Sequence, residues 1–298
     1  MAPTVERVRL DTGLEHELLV FAPSDPTCDR TLLLLHGFAD LAWGWLPVVE
    51  TGLLDHLHLL VPSFRGHGAS DWVGAGGTYY FADYLADLES LVRAHARPRL
   101  CIAGHSMGGM AASLFAGTYP ARVDRLAILE GLSVPEAPTT PARMREAISG
   151  RATALGRRGT PASPGGRRFP SLEAAAQRMV HHDPTLRPEL ALAIARHGCL
   201  ELPDGAWVYR HDPLHATRSP VGFEVALAQR FWREIACDVL YVEGAASPAR
   251  LVGEERTRRL GSLAAARSLR EVEIAGAGHM MLRHQPLATA RVLSDFFA

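Results

Sequence analysis

The chain has 298 residues, 47% of them hydrophobic, and a formal net charge of −1. That length buries a large core, as one large domain or as a domain with an insertion, and the near-neutral balance excludes a general pull towards nucleic acid or an anionic membrane. No stretch approaches the roughly 20 apolar residues of a membrane span, and the charged opening MAPTVERVRLDTGLEHELLV has no apolar signal core.

Val5–Leu10 and Glu17–Phe21 read as two strands around the turn Asp11-Thr12-Gly13, followed by a polar loop from Pro23 to Asp29. Thr31–Leu35 is a continuous apolar strand ending in His36-Gly37-Phe38-Ala39-Asp40. A glycine directly after a buried strand lets the backbone turn the Phe38 N–H towards a ligand. His36 is read as shaping this loop through hydrogen bonds. Trp43–Leu54 has helical periodicity, and His58–Val61 is a buried strand leading into Pro62-Ser63-Phe64-Arg65-Gly66-His67-Gly68-Ala69-Ser70. After a Gly-rich loop at 74–77, Tyr79–Ala94 is an amphipathic helix with Phe81, Tyr84, Leu85, Leu88 and Leu91 on one face.

Leu100–Ala103 has the length of a fully buried strand. Gly104-His105-Ser106-Met107-Gly108 then fits G-x-S-x-G, and Met110, Ala111, Leu114 and Phe115 follow at helical spacing. Strand, sharp turn and helix form the context that makes this motif informative. Gly104 and Gly108 let two backbone segments close around a strained Ser106. Its hydroxyl is expected above the sheet edge at a helix N-terminus, where free N–H groups favour developing negative charge. The N–H groups of Phe38 and Met107 would make a two-donor oxyanion hole. Arg125–Leu129 is the next strand and ends at Glu130-Gly131. Strands alternating with helices predict an α/β protein with a mostly parallel sheet and helices on both faces. Ligands bind such sheets beyond the carboxyl ends of the strands, and Phe38, Ser106 and Glu130 all fall on that edge.

The alternation breaks over residues 132–235, a stretch rich in Pro and Arg with helical pieces at Ala142–Ser149, Leu172–His181, Glu189–His197 and Phe223–Ile235. Arg151–Pro170 has five arginines and no apolar period, so it is expected to be an exposed loop. The division is therefore a core of residues 1–131 and 236–298 with a helical cap of residues 132–235 over the strand ends. Alternation resumes with a strand at Asp238–Val242, a helix at Glu254–Leu260, a strand at Arg270–Ile274 and a closing helix at Gln285–Phe297. Ala275-Gly276-Ala277-Gly278-His279 allows a tight loop that lowers His279 onto the Ser106 turn, in the Ser…acid…His order. Among 14 histidines, His56, His58, His95 and His197 read as surface or packing residues. His181-His182-Asp183 is not read as a metal site, because adjacent helical residues point in different directions. Cys28, Cys101, Cys199 and Cys237 have no metal-ligand spacing. Free thiols without a signal segment lead to the expectation of a reducing cytoplasm.

The motifs HGFAD (36–40), FRGHGAS (64–70), GHSMGG (104–109) and GAGHMM (276–281), in that order, resemble the α/β-hydrolase fold superfamily in its serine-hydrolase, esterase- or lipase-like branch. The segment DGAWVYRHDPLHATRSP (204–220) is similar to the return from cap to core in kraken-type serine hydrolase-like members. The resemblance implies a Ser nucleophile, a His base, a carboxylate partner, and no metal or organic cofactor. One position departs from the pattern. Many relatives have G-x-x-D-P after the penultimate core strand, where this chain has Gly244-Ala245-Ala246-Ser247-Pro248. Serine supplies no charge to stabilise an imidazolium. Glu130 is the substitute, at a strand end from which some α/β-hydrolases supply the acid; Glu243 is the rival.

The resulting expectation is a Ser106–His279–Glu130 triad that cleaves a carboxylic ester or lactone of a small molecule with an apolar or aromatic acyl part. Trp207, Tyr209, Phe231 and Trp232 either line its pocket or pack the cap. The Arg-rich loop either attracts an anionic substrate or is solvated surface. Hydrolysis of a carbon–carbon bond in a diketone-like substrate remains open. So does a ligand-binding protein with little turnover, which the missing Asp at 247 favours.

Overall fold

The computed structural model describes residues 2–298. The first half of the chain builds most of the sheet: β1 (Thr4–Arg9), β2 (Glu15–Phe21), β3 (Arg30–Leu35), β4 (His58–Pro62), β5 (Arg99–His105) and β6 (Val123–Leu129). The helices α1 (Leu46–Val49), α2 (Phe81–His95) and α3 (Met107–Thr118) connect them. Residues 132–235 then supply α4 (Pro141–Leu155), a two-by-two-residue hairpin of β7 (Gly159–Thr160) and β8 (Ser163–Pro164), α5 (Leu172–His182) and α6 (Pro188–Gly198). A hairpin of β9 (Cys199–Glu201) and β10 (Trp207–Tyr209) follows, and α7 (Val225–Trp232) ends the segment. The chain closes with β11 (Asp238–Gly244), α8 (Gly253–Leu260), β12 (Ser268–Ile274), α9 (Met281–His284) and α10 (Pro286–Phe297).

Among the described residues the main sheet has eight strands in the order β1-β2-β4-β3-β5-β6-β11-β12. β1 pairs antiparallel with β2, and β2 with β4; every later pairing is parallel. The expected α/β architecture is therefore the one observed. β3 and β5 are apolar on both faces because each lies between parallel neighbours under helices. Leu33, Leu35, Ile102 and Leu126 pack with α2 and α3 on one face, and Leu32, Leu34, Cys101 and Ala127 with α1 and α10 on the other. Parallel register brings the ends of β3, β5, β6 and β11 to one edge, with Leu35 opposite Gly104 and His105 opposite Leu129.

Two expectations are corrected here, and one element went unread. The helix expected over 43–54 is a 3₁₀ turn (Ala42–Trp45) and the single turn α1, because Gly52 at φ 75° ends it. The Arg-rich stretch 151–170 is not a plain exposed loop. α4 runs into it as far as Leu155, and Arg158 folds inward onto Asp212, whose side chain is fully buried. The hairpin of β9 and β10 carried no periodicity long enough to be read.

The core also buries charge. Asp87, 2% exposed, accepts two bonds from Arg65 at 2.6 and 2.7 Å and one from Thr12 at 2.6 Å, with His16 at 3.3 Å. Burial opposes ionisation of Asp87, but Arg65 and His16 outweigh it and hold its carboxyl at about 2, below its ordinary 3.8. A depressed folded-state value stabilises the fold above the unfolded value and stops doing so as pH falls through the folded one. Wild type should thus lose about 2 kcal/mol between about pH 4 and pH 2 from this group. Asp87→Asn should lack that slope and cost about 3 kcal/mol at neutral pH, because Arg65 loses its buried counter-ion and keeps only the part-exposed Asp83 at 3.4 Å. Urea unfolding at several pH values reads both.

Candidate active site

Ser106 sits between β5 and α3 with φ 53° and ψ −116°. Among the described residues, the non-glycine positions with positive φ are Ala39, Ser106 and Glu130, and all three lie at the strand-end edge. Such conformations cost about 1–3 kcal/mol each and persist where the surroundings impose them. For Ser106 they are imposed by glycine. A Cβ on Gly104 would lie 2.3 Å from the Gly108 carbonyl oxygen, and one on Gly108 would lie 2.4 Å from that of Leu35. Gly104→Ala or Gly108→Ala should therefore cost about 3 kcal/mol or more, at the upper end of overpacking. Gly150→Ala, where a Cβ meets nothing within 4 Å inside α4, should be neutral or stabilising by up to about 1 kcal/mol. Thermal unfolding of the three variants makes the comparison.

From this turn a hydrogen-bonded chain runs across the strand ends. Ser106 Oγ lies 3.0 Å from His279 Nε2, and His279 Nδ1 lies 2.5 Å from Glu130 Oε2. The Glu130 side chain is fully buried, whereas His279 is 31% exposed. Glu130 Oε1 accepts from the Gly244 N–H at 2.8 Å, and its Oε2 also accepts from Ser247 Oγ at 2.7 Å. Burial works against the carboxylate, yet the bonds from His279, Gly244 and Ser247 outweigh it, so Glu130 ionises below the usual glutamate range. The position where relatives carry Asp thus holds a serine that donates to the carboxylate reaching in from β6. Glu243, the rival acid, faces elsewhere: its carboxylate takes the Leu251 N–H and the Tyr241 hydroxyl and pairs with Arg256.

Met107 is the first residue of α3, so its N–H is among the unpartnered donors of a helix start. The Gly37 carbonyl faces His36 Nδ1 at 2.7 Å and the Asp40 N–H at 3.3 Å. In a planar trans peptide the Phe38 N–H points the opposite way, and a Cβ on Gly37 would lie 3.3 Å from Ser106 Cβ. The Met107 N–H thus starts at the residue after Ser106, and the Phe38 N–H faces away from the Gly37 carbonyl in a loop packed beside Ser106. His36 is fully buried and its Nε2 accepts from the Phe64 N–H at 2.9 Å, the loop-shaping role expected of it.

Several contributors had no signal of their own in the sequence. His105, inside the G-x-S-x-G motif, donates from Nε2 to the His279 carbonyl at 2.7 Å and ties the histidine loop to the serine turn. Burial, assisted by His279, lowers its pKa to about 4 and keeps it neutral. Arg283 pairs with Asp40 at 2.6 Å, joining the loop after His279 to the one after β3. His284 accepts from the Gly278 N–H at 3.0 Å through Nδ1 and reaches Asp183 at 2.9 Å through Nε2. Asp183 is thereby engaged with His284, away from the pairing suggested by the His181-His182-Asp183 run. Among the described residues, no group of three His, Cys, Asp or Glu side chains is placed to hold a metal ion.

A cavity of about 620 Å³ opens beside this chain, bordered by Phe38, Ala39 and Met280 on one side and by residues of 167–211 on the other. Tyr209 lines it, with its hydroxyl on the Ala175 carbonyl at 2.8 Å. Trp207 pairs with Glu201 and Phe169 in the hairpin and does not line it. Trp232 is a correction: it is fully buried in the core, its Nε1 donating to Ser113 Oγ on α3 at 3.0 Å. Gly117 permits this, since a Cβ there would lie 2.1 Å from the Phe231 carbonyl oxygen, so α7 packs directly on α3.

A doubly wound sheet with a strand-end serine, imidazole and carboxylate defines an α/β-hydrolase architecture. Residues 32–292 match the alpha/beta hydrolase family, and the protein belongs to that family. It is 35% identical over 105 residues to the Serine hydrolase-like protein of Danio rerio, covering 35% of this chain. The match spans about a third, 32%, of that relative's own length. Among solved structures, the hypothetical protein PA1622 from Pseudomonas aeruginosa PAO1 is similar with a TM-score of 0.82 at 24% identity, over 100% of this chain and 99% of that one. The thioesterase domain from the curacin biosynthetic pathway is similar with a TM-score of 0.81 at 19% identity, over 98% and 99% of the two chains. Both likenesses are of fold. Among the described residues, no helix is long and apolar enough to cross a membrane.

Proposed function

We propose that the protein is a serine hydrolase that cleaves a carboxylic ester or lactone through an acyl-enzyme on Ser106. The observation that carries this reading is the continuous chain from Ser106 Oγ to His279 at 3.0 Å and from His279 to the buried Glu130 at 2.5 Å. In this mechanism His279 Nε2 takes the Ser106 proton as Oγ attacks the carbonyl carbon, and Glu130 steadies the imidazolium that forms. The Phe38 and Met107 N–H groups hold the oxyanion, each worth about 3–4 kcal/mol at the transition state. The imidazolium then protonates the leaving alcohol. Water, activated by the same imidazole, releases the acid and restores Ser106.

Residues 132–235 act as a lid over the strand ends, a role supported by the cavity they share with Phe38 and Met280. The ligand-binding reading drew on the serine at position 247. With Glu130 on His279 and Ser247 donating to it, that ground weakens. Among the described residues the four cysteines are free thiols, three of them buried, which supports a reducing compartment.

Intact mass after exposure to a fluorophosphonate probe tests the proposal, with one adduct expected. A panel of esters and lactones of graded acyl length should then be turned over faster than a β-diketone. A folded protein that stays unlabelled, or that cleaves only the diketone, overturns the ester reading.

A further inference from the structure

Building on Ser106 as the nucleophile, we propose that the substrate carries a carboxylate or phosphate on its non-reacting end, held by Arg178 and Arg167 in the cavity beside the oxyanion loop. The cavity begins at Phe38 and Met280, the first next to Gly37 beside Ser106 and the second directly after His279 in the chain, so it opens next to the serine turn. Its volume of about 620 Å³ lies in the range of small-molecule sites. Its walls divide by character. Phe38, Met179 and Ile194 are apolar, whereas Arg167 and Arg178, from the 132–235 segment, are cationic.

The charges at this cavity do not cancel in place. Asp40 is paired with Arg283, and Asp183 with His284. Arg178, half-buried on α5, and Arg167 have no carboxylate partner among the described residues, while the nearby Arg158 and Arg168 are paired with Asp212 and Asp204. Arg167 stands over the Phe169 ring at 5.6 Å, which limits where its guanidinium can go. Both arginines act on one point of the wall: burial raises the Tyr209 hydroxyl to about 12 while Arg178 and Arg167 oppose that rise. Arg167 is exposed and Arg178 half-buried, so with no carboxylate already on them both are free to bind an incoming anion through charge-assisted, bidentate hydrogen bonds. The complementary molecule has an apolar middle and an anionic end, with the ester towards Ser106.

The test uses twins of equal length: the 4-nitrophenyl ester of adipic acid with its far carboxyl free, and the same ester with that carboxyl methylated. Wild type should favour the free acid by about tenfold or more in kcat/KM, and added salt should shrink the preference. Arg167→Gln/Arg178→Gln should lower kcat/KM for the free acid by about tenfold more than for its methylated twin. Equal turnover of the twins by wild type, or an equal loss on both in the double variant, overturns the proposal. A phosphate-ended third ester tells the two anions apart by which is preferred. If neither twin is cleaved and Ser106 is not labelled, the hydrolase reading fails by itself. Calorimetry with adipate and inorganic phosphate then decides the arginine site: binding to wild type that the double variant loses supports it, and no binding to either overturns it.

Discussion

Ser106→Ala is expected to lower kcat by about 10⁶-fold and to abolish fluorophosphonate labelling while the protein stays folded. The size follows from the cooperative behaviour of a nucleophile–base pair, in which removing the nucleophile leaves only oxyanion stabilisation and binding. Folding should survive because the hydroxyl bonds only the part-exposed His279, and no buried group loses its partner. The backbone supplies a second readout. Alanine keeps a Cβ at φ 53° and ψ −116°, so its strain persists, whereas Ser106→Gly should raise stability by about 1 kcal/mol as the strain relaxes. Steady-state kinetics and thermal unfolding on the two variants separate these effects. Residual activity within tenfold of wild type in Ser106→Ala would move the nucleophile elsewhere.

Glu130→Gln should reduce kcat by about 10³–10⁴-fold with the fold intact, by the logic of a triad acid changed to its amide. The atoms explain why. Oε1 accepts from the Gly244 N–H, so the amide oxygen of Gln has to take that side and its NH₂ falls where Oε2 met His279 Nδ1 and Ser247 Oγ. An NH₂ there donates to Nδ1, which puts the imidazole proton on Nε2, the atom that must accept from Ser106. Adding Ser247→Asp to Glu130→Gln restores a carboxylate from the other strand end and should recover at least about tenfold. Ser247→Asp alone sets two carboxylates against each other and should destabilise.

Stability against pH gives an independent check. Glu130 ionises below its ordinary value of 4.5. Its contribution is present above that value and is lost as pH falls through the lower folded-state one. Wild type should therefore lose more stability on acidification than Glu130→Gln does. Near-normal turnover in the Gln variant would remove Glu130 from the mechanism.

The two variants differ in how their positions were found. Ser106 was legible because its information is local. Gly104 and Gly108 mark a close backbone approach, the apolar run before them marks a buried strand, and the helical spacing after them marks α3. The parallel sheet was legible for the same reason, since a strand covered on both faces reads as an unbroken apolar run. Position 247 alone gave the wrong impression of a missing acid. That Ser247 donates to Glu130 depends on β6 and β11 lying side by side, so that residues 117 positions apart in sequence meet at one edge.

The same distinction holds for the surroundings of the site. Trp232 has the composition of a pocket residue and sits in the core, because Gly117 lets α7 approach α3, a fact about two helices that neither helix records. Arg158 looks like one of five solvated arginines and turns onto buried Asp212, while Arg178 and Arg167 stand unpaired at the cavity. By itself the sequence determined the strand and helix order, the serine turn and the edge where chemistry gathers, because backbone conformation and one-sided burial leave periodic, local marks. Only the tertiary structure decided which carboxylate meets His279, which aromatic side chain faces the cavity and which arginine has a counter-ion, because each depends on the distance between segments far apart in the chain.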